Sequence, residues 1–234
     1  MEEKGKNGSQ KSIHAGHRER LKKRAVQEGL DSFDAHQLLE LLLFYAIPYK
    51  DTNELAHQLI DKFGNFAAVL DADYQQLLMI KGVGPNTAAL LTMIPGLCRR
   101  YQLDSWGERV HIDCGYTLGE YCVNLFIGCS YEKFYMVCLD SQSRVIQTVL
   151  VNEGTINEVS VYPRLVVENA LRYKAHSVAL AHNHPGGTLR PSAGDVQLTK
   201  RLTAVLNEIN INVNDHIIVC GNRYISLAAK GMMF

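Results

Sequence analysis

The chain has 234 residues, which is enough for one large or two small domains. Apolar residues make up 47% of the sequence and charged residues 21%, as is typical of a globular protein with a buried core. The formal net charge is zero, so no global field favours nucleic acid or a membrane, and either partner would need a local site.

The first part of the chain is predicted to be helical. Residues 1–12 are rich in Gly, Asn, Ser and Lys, and we expect this tail to be disordered. Over residues 13–101, apolar residues recur at helical spacing and no strand pattern occurs. Within this range, Lys81-Gly82-Val83-Gly84-Pro85 predicts a tight turn before a helix that ends near Arg100.

The composition changes after Tyr101. Residues 102–108 are predicted to be a linker, and residues 109–234 a second domain. This domain has a predicted helix near 117–127 and then a hairpin from Lys133 to Val151. The remaining predicted elements are a helix from Pro163, a buried strand at 178–181, a helix capped by Ser192, and closing strands near 213–220 and 223–228. The fold class is therefore α+β, with helices flanking a mixed sheet in the second domain.

The segment His182-Asn183-His184 predicts a metal site. Two histidines separated by one residue on a strand point to the same side, so both rings can reach one ion. Asp195 follows eleven positions after His184, beyond a Gly/Pro-rich turn, and can return as a carboxylate ligand. Two histidines and one aspartate leave the fourth tetrahedral position open, which is typical of catalytic zinc.

Two further residues complete a candidate catalytic set. Glu153 ends the second predicted hairpin strand, and a carboxylate outside the ligand set can take a proton from zinc-bound water. Ser192 can donate a hydrogen bond to an oxyanion. Each residue alone has a simpler interpretation: a surface histidine pair, a solvated turn carboxylate, a helix N-cap, and an aspartate that complements a helix dipole. Their combination across separated segments favours a metal-dependent hydrolase.

The series Glu153, His182-x-His184 and Ser192-x-x-Asp195 resembles the JAMM (MPN+) metalloprotease motif. From about residue 16 onward the chain resembles the bacterial RadC family more closely still; the matching segments are 16–20, 38–48, 81–84, 153–155, 161–164 and 181–185. The resemblance implies an MPN-type domain in which His182, His184 and Asp195 bind Zn²⁺. It also implies that Glu153 holds the catalytic water, that Ser192 supports the oxyanion, and that the substrate is a protein or peptide of unknown identity.

The glycine turn of the first domain resembles a helix-hairpin-helix. Gly82 and Gly84 would present backbone amides to phosphate, and Lys81 would add charge, which predicts weak, sequence-independent DNA binding. A DNA-binding accessory protein of repair or recombination, with a structural metal site, is therefore the alternative to the hydrolase.

Other classes are disfavoured by the cysteines and by hydropathy. The six cysteines form no CxxC pair, which argues against a zinc ribbon, a thioredoxin-type centre and a zinc deaminase. We expect most of them to be small buried side chains. No apolar run reaches the roughly 18 residues of a membrane span, and no signal peptide is apparent, so we expect a cytoplasmic protein without membrane association.

Overall fold

The computed structural model describes residues 9–107, 110–154 and 161–233, with side chains from residue 16 onward. Within these ranges the chain is α+β and forms two compact units, which divide between Pro95 and Gly96. The helices, in chain order, are α1 (Ser9–Glu28), α2 (Ala35–Ala46), α3 (Asn53–Phe63), α4 (Phe66–Leu70), α5 (Tyr74–Leu78), α6 (Pro85–Ser105), α7 (Gly115–Leu125), α8 (Pro163–Arg172) and α9 (Ala193–Asn207). The strands are β1 (Glu132–Leu139), β2 (Val145–Gly154), β3 (Ser177–Asn183), β4 (Asn212–Cys220) and β5 (Arg223–Ser226).

The described part of the first unit contains helices joined by turns and loops, and no strand, as predicted. Its main core joins α2 to α6 through fully buried leucines, namely Leu39, Leu43, Leu59, Leu77 and Leu91. The α1 helix covers a smaller cluster through Leu21. Arg18 on the same helix donates hydrogen bonds to the backbone carbonyls of Ile47, Pro48 and Lys50, and so ties down the segment that joins α2 to α3.

The second unit is built on one mixed sheet, which has five strands within the described residues. The strand order is β2-β1-β3-β4-β5, and every neighbouring pair is antiparallel except β3 and β4. The parallel pair is connected through α9, as parallel neighbours require a crossover. One face of the sheet packs against α8 and α9 through Met136 and Leu180, and the other face packs against α7 through Val137 and Ala179. The α9 helix therefore lies against the face that carries the even-numbered residues of β3.

The boundary predicted at residues 102–108 is wrong in its first half. Residues 102–105 form the last turn of α6, because Leu103 packs against the core of the second unit and Arg100 pairs with Asp104 at 2.8 Å, one helical turn away. Trp106 packs on Tyr121 with ring centroids 5.9 Å apart. These residues therefore belong to the second unit, and residues 108 and 109 lie outside the described part.

Two smaller expectations also change. The tail predicted to be disordered covers residues 1–12, yet residues 9–12 lie in α1, while residues 1–8 are outside the described part. Of the six cysteines, Cys122 and Cys138 are buried as expected, whereas Cys98 and Cys114 are exposed. Among the described helices, none combines the length and apolar character needed to cross a membrane.

Candidate metal centre

The two histidines of the predicted site lie at the carboxyl end of β3. His182 is the second-to-last residue of the strand, and His184 is the first residue after the strand. The backbone N–H of His184 donates to the carbonyl of Val219 on β4 at 2.8 Å, so the extended pairing continues past the last strand residue. Both rings therefore point to one face, and their Nε2 atoms are 3.0 Å apart.

The third predicted ligand comes from the start of α9. The two carboxylate oxygens of Asp195 lie 3.3 Å from Nε2 of His182 and 3.5 Å from Nε2 of His184. Ligands about 2.05 Å from a tetrahedral zinc ion stand about 3.3 Å from one another. The three donor atoms thus have the separations of a zinc site, and no other group of three His, Cys, Asp or Glu side chains within the described ranges converges in this way.

The Asp195 carboxylate supplies a negative charge beside the two imidazoles. Burial raises the pKa of Asp195, but its interactions with His182 and His184 lower it more, and the net pKa lies well below the usual range. The neighbouring Asp195 carboxylate raises the pKa of His184. A carboxylate held ionised beside two imidazoles is a donor set suited to zinc.

Each imidazole is fixed by a hydrogen bond from its other nitrogen. Nδ1 of His184 lies 2.8 Å from the carbonyl oxygen of Thr188, which can only accept, so Nδ1 carries the proton and Nε2 is left with a lone pair. Nδ1 of His182 lies 2.8 Å from Nε2 of His216, a fully buried histidine of β4. Burial keeps the pKa of His216 well below its usual value. Such partners orient ligand rings and fix their tautomers.

Ser192 is the N-cap of α9, as predicted. Its Oγ accepts the backbone N–H of Asp195 at 3.1 Å, while a carboxylate oxygen of Asp195 accepts the backbone N–H of Ser192 at 2.7 Å. This reciprocal capping box aims the Asp195 carboxylate at the histidines. Ser192 is exposed, and because its oxygen acts as an acceptor toward Asp195, its own proton can still be donated to a bound group.

The structure does not bring Glu153 to this cluster. Glu153 pairs in register with Lys133, and its carboxylate lies 3.5 Å from the Lys133 ammonium and 3.4 Å from the Tyr131 hydroxyl. Neighbouring side chains on a strand point to opposite faces, so Lys133 and Glu153 lie on the face opposite Phe134. Phe134 pairs with His182, and their rings are stacked at 6.1 Å. Glu153 is therefore on the wrong face for the predicted base.

Glu132 occupies the position predicted for Glu153. The antiparallel register of Phe134 with His182, continued by two residues, puts Glu132 opposite His184 and on the same face. Lys133 N–H donates to the side-chain oxygen of Asn183 at 2.8 Å, which holds the two strand ends together at this point. Burial raises the pKa of Glu132, and the charges of His182 and His184 partly offset the rise. Sequence reasoning missed Glu132 because it begins its strand without a flanking motif.

The residues predicted to meet DNA lie in the first unit. The turn at Ile80 to Val83 is closed by a 3.0 Å backbone hydrogen bond, and Gly82 has φ of +100°, a conformation that favours glycine. The α6 helix begins at Pro85, directly after Gly84. A cleft of about 550 Å³ next to Gly82 is lined by Lys50 and Lys81, but also by acidic side chains, namely Asp51 and Glu54.

Comparison with known proteins gives one family and relatives of nearly equal length. Residues 112–232 match the family described as the RadC-like JAB domain. A UPF0758 protein of Fusobacterium nucleatum subsp. nucleatum is 33% identical over 225 residues, which cover 93% of this chain and 97% of that protein. A UPF0758 protein of Variovorax paradoxus (strain S110) is 37% identical over 222 residues, which cover 94% and 96%. Neither name states an activity.

Proposed function

The chain belongs to the RadC family, and from that premise we propose that it is a zinc-dependent hydrolase of the JAMM type, which cleaves a peptide or isopeptide bond. One observation carries the proposal. A carboxylate that is not one of the three candidate ligands, Glu132, lies on the same face as His182, His184 and Asp195 and interacts electrostatically with all three. A purely structural metal site has no use for a second, partly buried acid beside its three ligands.

The proposed metal ligands are Nε2 of His182, Nε2 of His184 and the carboxylate of Asp195. Their donor separations of 3.0, 3.3 and 3.5 Å support this assignment. Bound zinc would supply Lewis-acid activation of a water molecule and of the substrate carbonyl.

The chain's own residues supply the proton transfers and the charge stabilisation. The Glu132 carboxylate accepts a proton from the attacking water and later gives it to the leaving amine, a task for which a raised pKa is suitable. The hydroxyl of Ser192, exposed beside Asp195, donates a hydrogen bond to the oxygen on which negative charge develops. Glu153 has no part in these steps, and its ion pair with Lys133 stabilises the end of the hairpin.

Metal analysis followed by a cleavage screen tests this proposal. The purified full chain, loaded with zinc, is incubated with a peptide library, a lysine-linked isopeptide library and duplex DNA, and the products are identified by mass spectrometry and electrophoresis. New amine and carboxylate termini are expected with wild-type protein and not with His184→Ala. Absence of zinc from the wild type, or cleavage of DNA alone, would contradict the proposal.

DNA binding by the first unit is a second, compatible candidate. The tight turn at Gly82, directly before the N-terminus of α6, is an arrangement in which backbone amides can meet phosphate oxygens. The acidic side chains beside Lys50 and Lys81 oppose phosphate, which is why we propose weak binding without sequence preference.

We place the proposed hydrolase in the cytoplasm. All six cysteines, which lie in the described part of the chain, are free thiols, as is usual in a reducing compartment.

A further inference from the structure

Four hydrogen-bonding groups of the second unit form a row behind the candidate metal site, namely the His182 ring, the His216 ring, the Thr199 hydroxyl and the Asp195 backbone carbonyl. Nδ1 of His182 meets Nε2 of His216 at 2.8 Å, and Nδ1 of His216 meets the hydroxyl of Thr199 at 2.5 Å. The Thr199 hydroxyl in turn lies 2.6 Å from the backbone carbonyl of Asp195. Because the Asp195 carboxylate faces Nε2 of His182, the row begins and ends on proposed ligands and forms a closed ring.

The backbone carbonyl of Asp195 determines which atom donates the proton in each hydrogen bond of this row. The carbonyl of Asp195 can only accept, so the Thr199 hydroxyl must donate its single proton there. Thr199 can then only accept from His216, so Nδ1 of His216 carries a proton. If the hydroxyl turned toward His216 instead, two bare oxygen acceptors would face each other at 2.6 Å without a proton between them.

The proton position on His216 determines the proton position on the proposed ligand His182. A neutral histidine protonated on Nδ1 has a lone pair on Nε2, so Nε2 of His216 must accept from Nδ1 of His182. The Nε2 atom of His182 is then left without a proton, in the state that binds a metal ion.

We propose that His216 and Thr199 are positioning residues that set the tautomer of His182 and so prepare its Nε2 for the metal. This inference rests on the metal site of the proposed function but not on hydrolysis. Nδ1 of His182 meets another histidine, which can donate or accept, whereas Nδ1 of His184 meets the carbonyl of Thr188, which can only accept. The two histidines of the motif are therefore oriented by different means.

The buried, apolar surroundings of this row disfavour the reversed arrangement of its protons. Thr199 and His216 have no exposed surface, and His182 is 2% exposed. The ring of Phe134 lies against both His182 and His216, with centroids at 6.1 and 5.5 Å. A buried N–H that loses its acceptor keeps the full desolvation penalty, so the reversed set of protons is disfavoured in this apolar setting.

The proton positions can be measured directly in the wild-type protein. Protein labelled with ¹⁵N-histidine is studied by long-range ¹H–¹⁵N correlation spectra, with and without zinc, at a pH above the usual histidine pKa of about 6.5. His216→Gln identifies the His216 signals. We expect His216 to carry its proton on Nδ1 in both forms. A proton on Nε2 of His216 in the zinc-loaded protein would overturn the proposal.

A matched pair of substitutions tests the effect on the metal. Thr199→Val keeps the shape but removes the hydroxyl, whereas Thr199→Ser keeps the hydroxyl. Zinc affinity, measured by competition with a chromophoric chelator, should fall by about 10- to 100-fold in the valine variant, and the serine variant should bind like the wild type. Equal affinity of all three proteins would refute the positioning role and leave the hydrolase proposal standing. A wild type that binds no zinc would refute both.

Discussion

Replacing one of two glutamates decides between the two candidate bases. Glu132→Gln and Glu153→Gln both remove a carboxylate while keeping size and hydrogen-bonding shape. In the structure Glu132 lies opposite His184 on the face of the proposed metal ligands, and Glu153 lies on the other face beside Lys133. We expect the two variants to differ in rate and not in zinc content, because neither residue belongs to the three proposed ligands.

The expected sizes of the two effects differ widely. Loss of a general base costs about 10²- to 10⁴-fold in rate, which is about 2.7–5.5 kcal/mol of transition-state stabilisation. Glu153 is 50% exposed and its ion pair with Lys133 spans 3.5 Å, so removing that pair costs at most about 1 kcal/mol of stability and nothing in rate.

The assay uses the first substrate from the cleavage screen, with initial rates measured at saturating zinc. Zinc content and the free energy of unfolding are measured on the same preparations, so that a slow enzyme is separated from a damaged one. Full activity of Glu132→Gln together with inactivity of Glu153→Gln would refute the assignment made from strand register. Loss of zinc from Glu132→Gln would make Glu132 a ligand and would equally contradict the mechanism.

Four further predictions follow from particular contacts. Elemental analysis should find one zinc ion per chain in the wild type and none in the double variant His182→Ala with His184→Ala. Equal zinc in both proteins would show that zinc binds elsewhere. Ser192→Ala should lower the free energy of unfolding by about 1 kcal/mol, because the helix cap is lost, and should lower the rate by about 10²- to 10³-fold. Ser192→Thr should keep both functions. An unchanged rate in the alanine variant would mean that Ser192 acts only as a helix cap. The free energy of unfolding should be about 2–4 kcal/mol higher for a fragment that starts at Gly96 than for one that starts at Glu108, because only the longer fragment retains the packing of Leu103 and Trp106. Equal denaturant midpoints of the two fragments would refute this boundary. DNA affinity, measured by fluorescence anisotropy, should fall steeply with salt and with a slope reduced by about 1 in Lys81→Ala; binding independent of salt, or unchanged by Gly82→Pro with Gly84→Pro in a folded protein, would exclude the hairpin.

Local sequence patterns predicted most of the elements and a group of three candidate metal ligands. Periodicity and capping residues predicted the helices of the first unit, the hairpin, the histidine-bearing strand and the Ser192 cap, because these depend on neighbours within a few positions along the chain. The convergence of these three side chains was predictable because the alternation of a strand puts His182 and His184 on one side, and the cap puts Asp195 at the start of the next helix.

Strand pairing in the folded chain determines which glutamate faces the candidate site. Glu132 and Glu153 lie on paired strands, and a register difference of one residue moves a side chain to the opposite face. That register depends on pairing between β1 and β3, across about 50 residues of chain, and local patterns do not encode it. The same holds for His216 and Thr199, which reach His182 only because the parallel pairing of β3 with β4 and the packing of α9 bring three distant segments together.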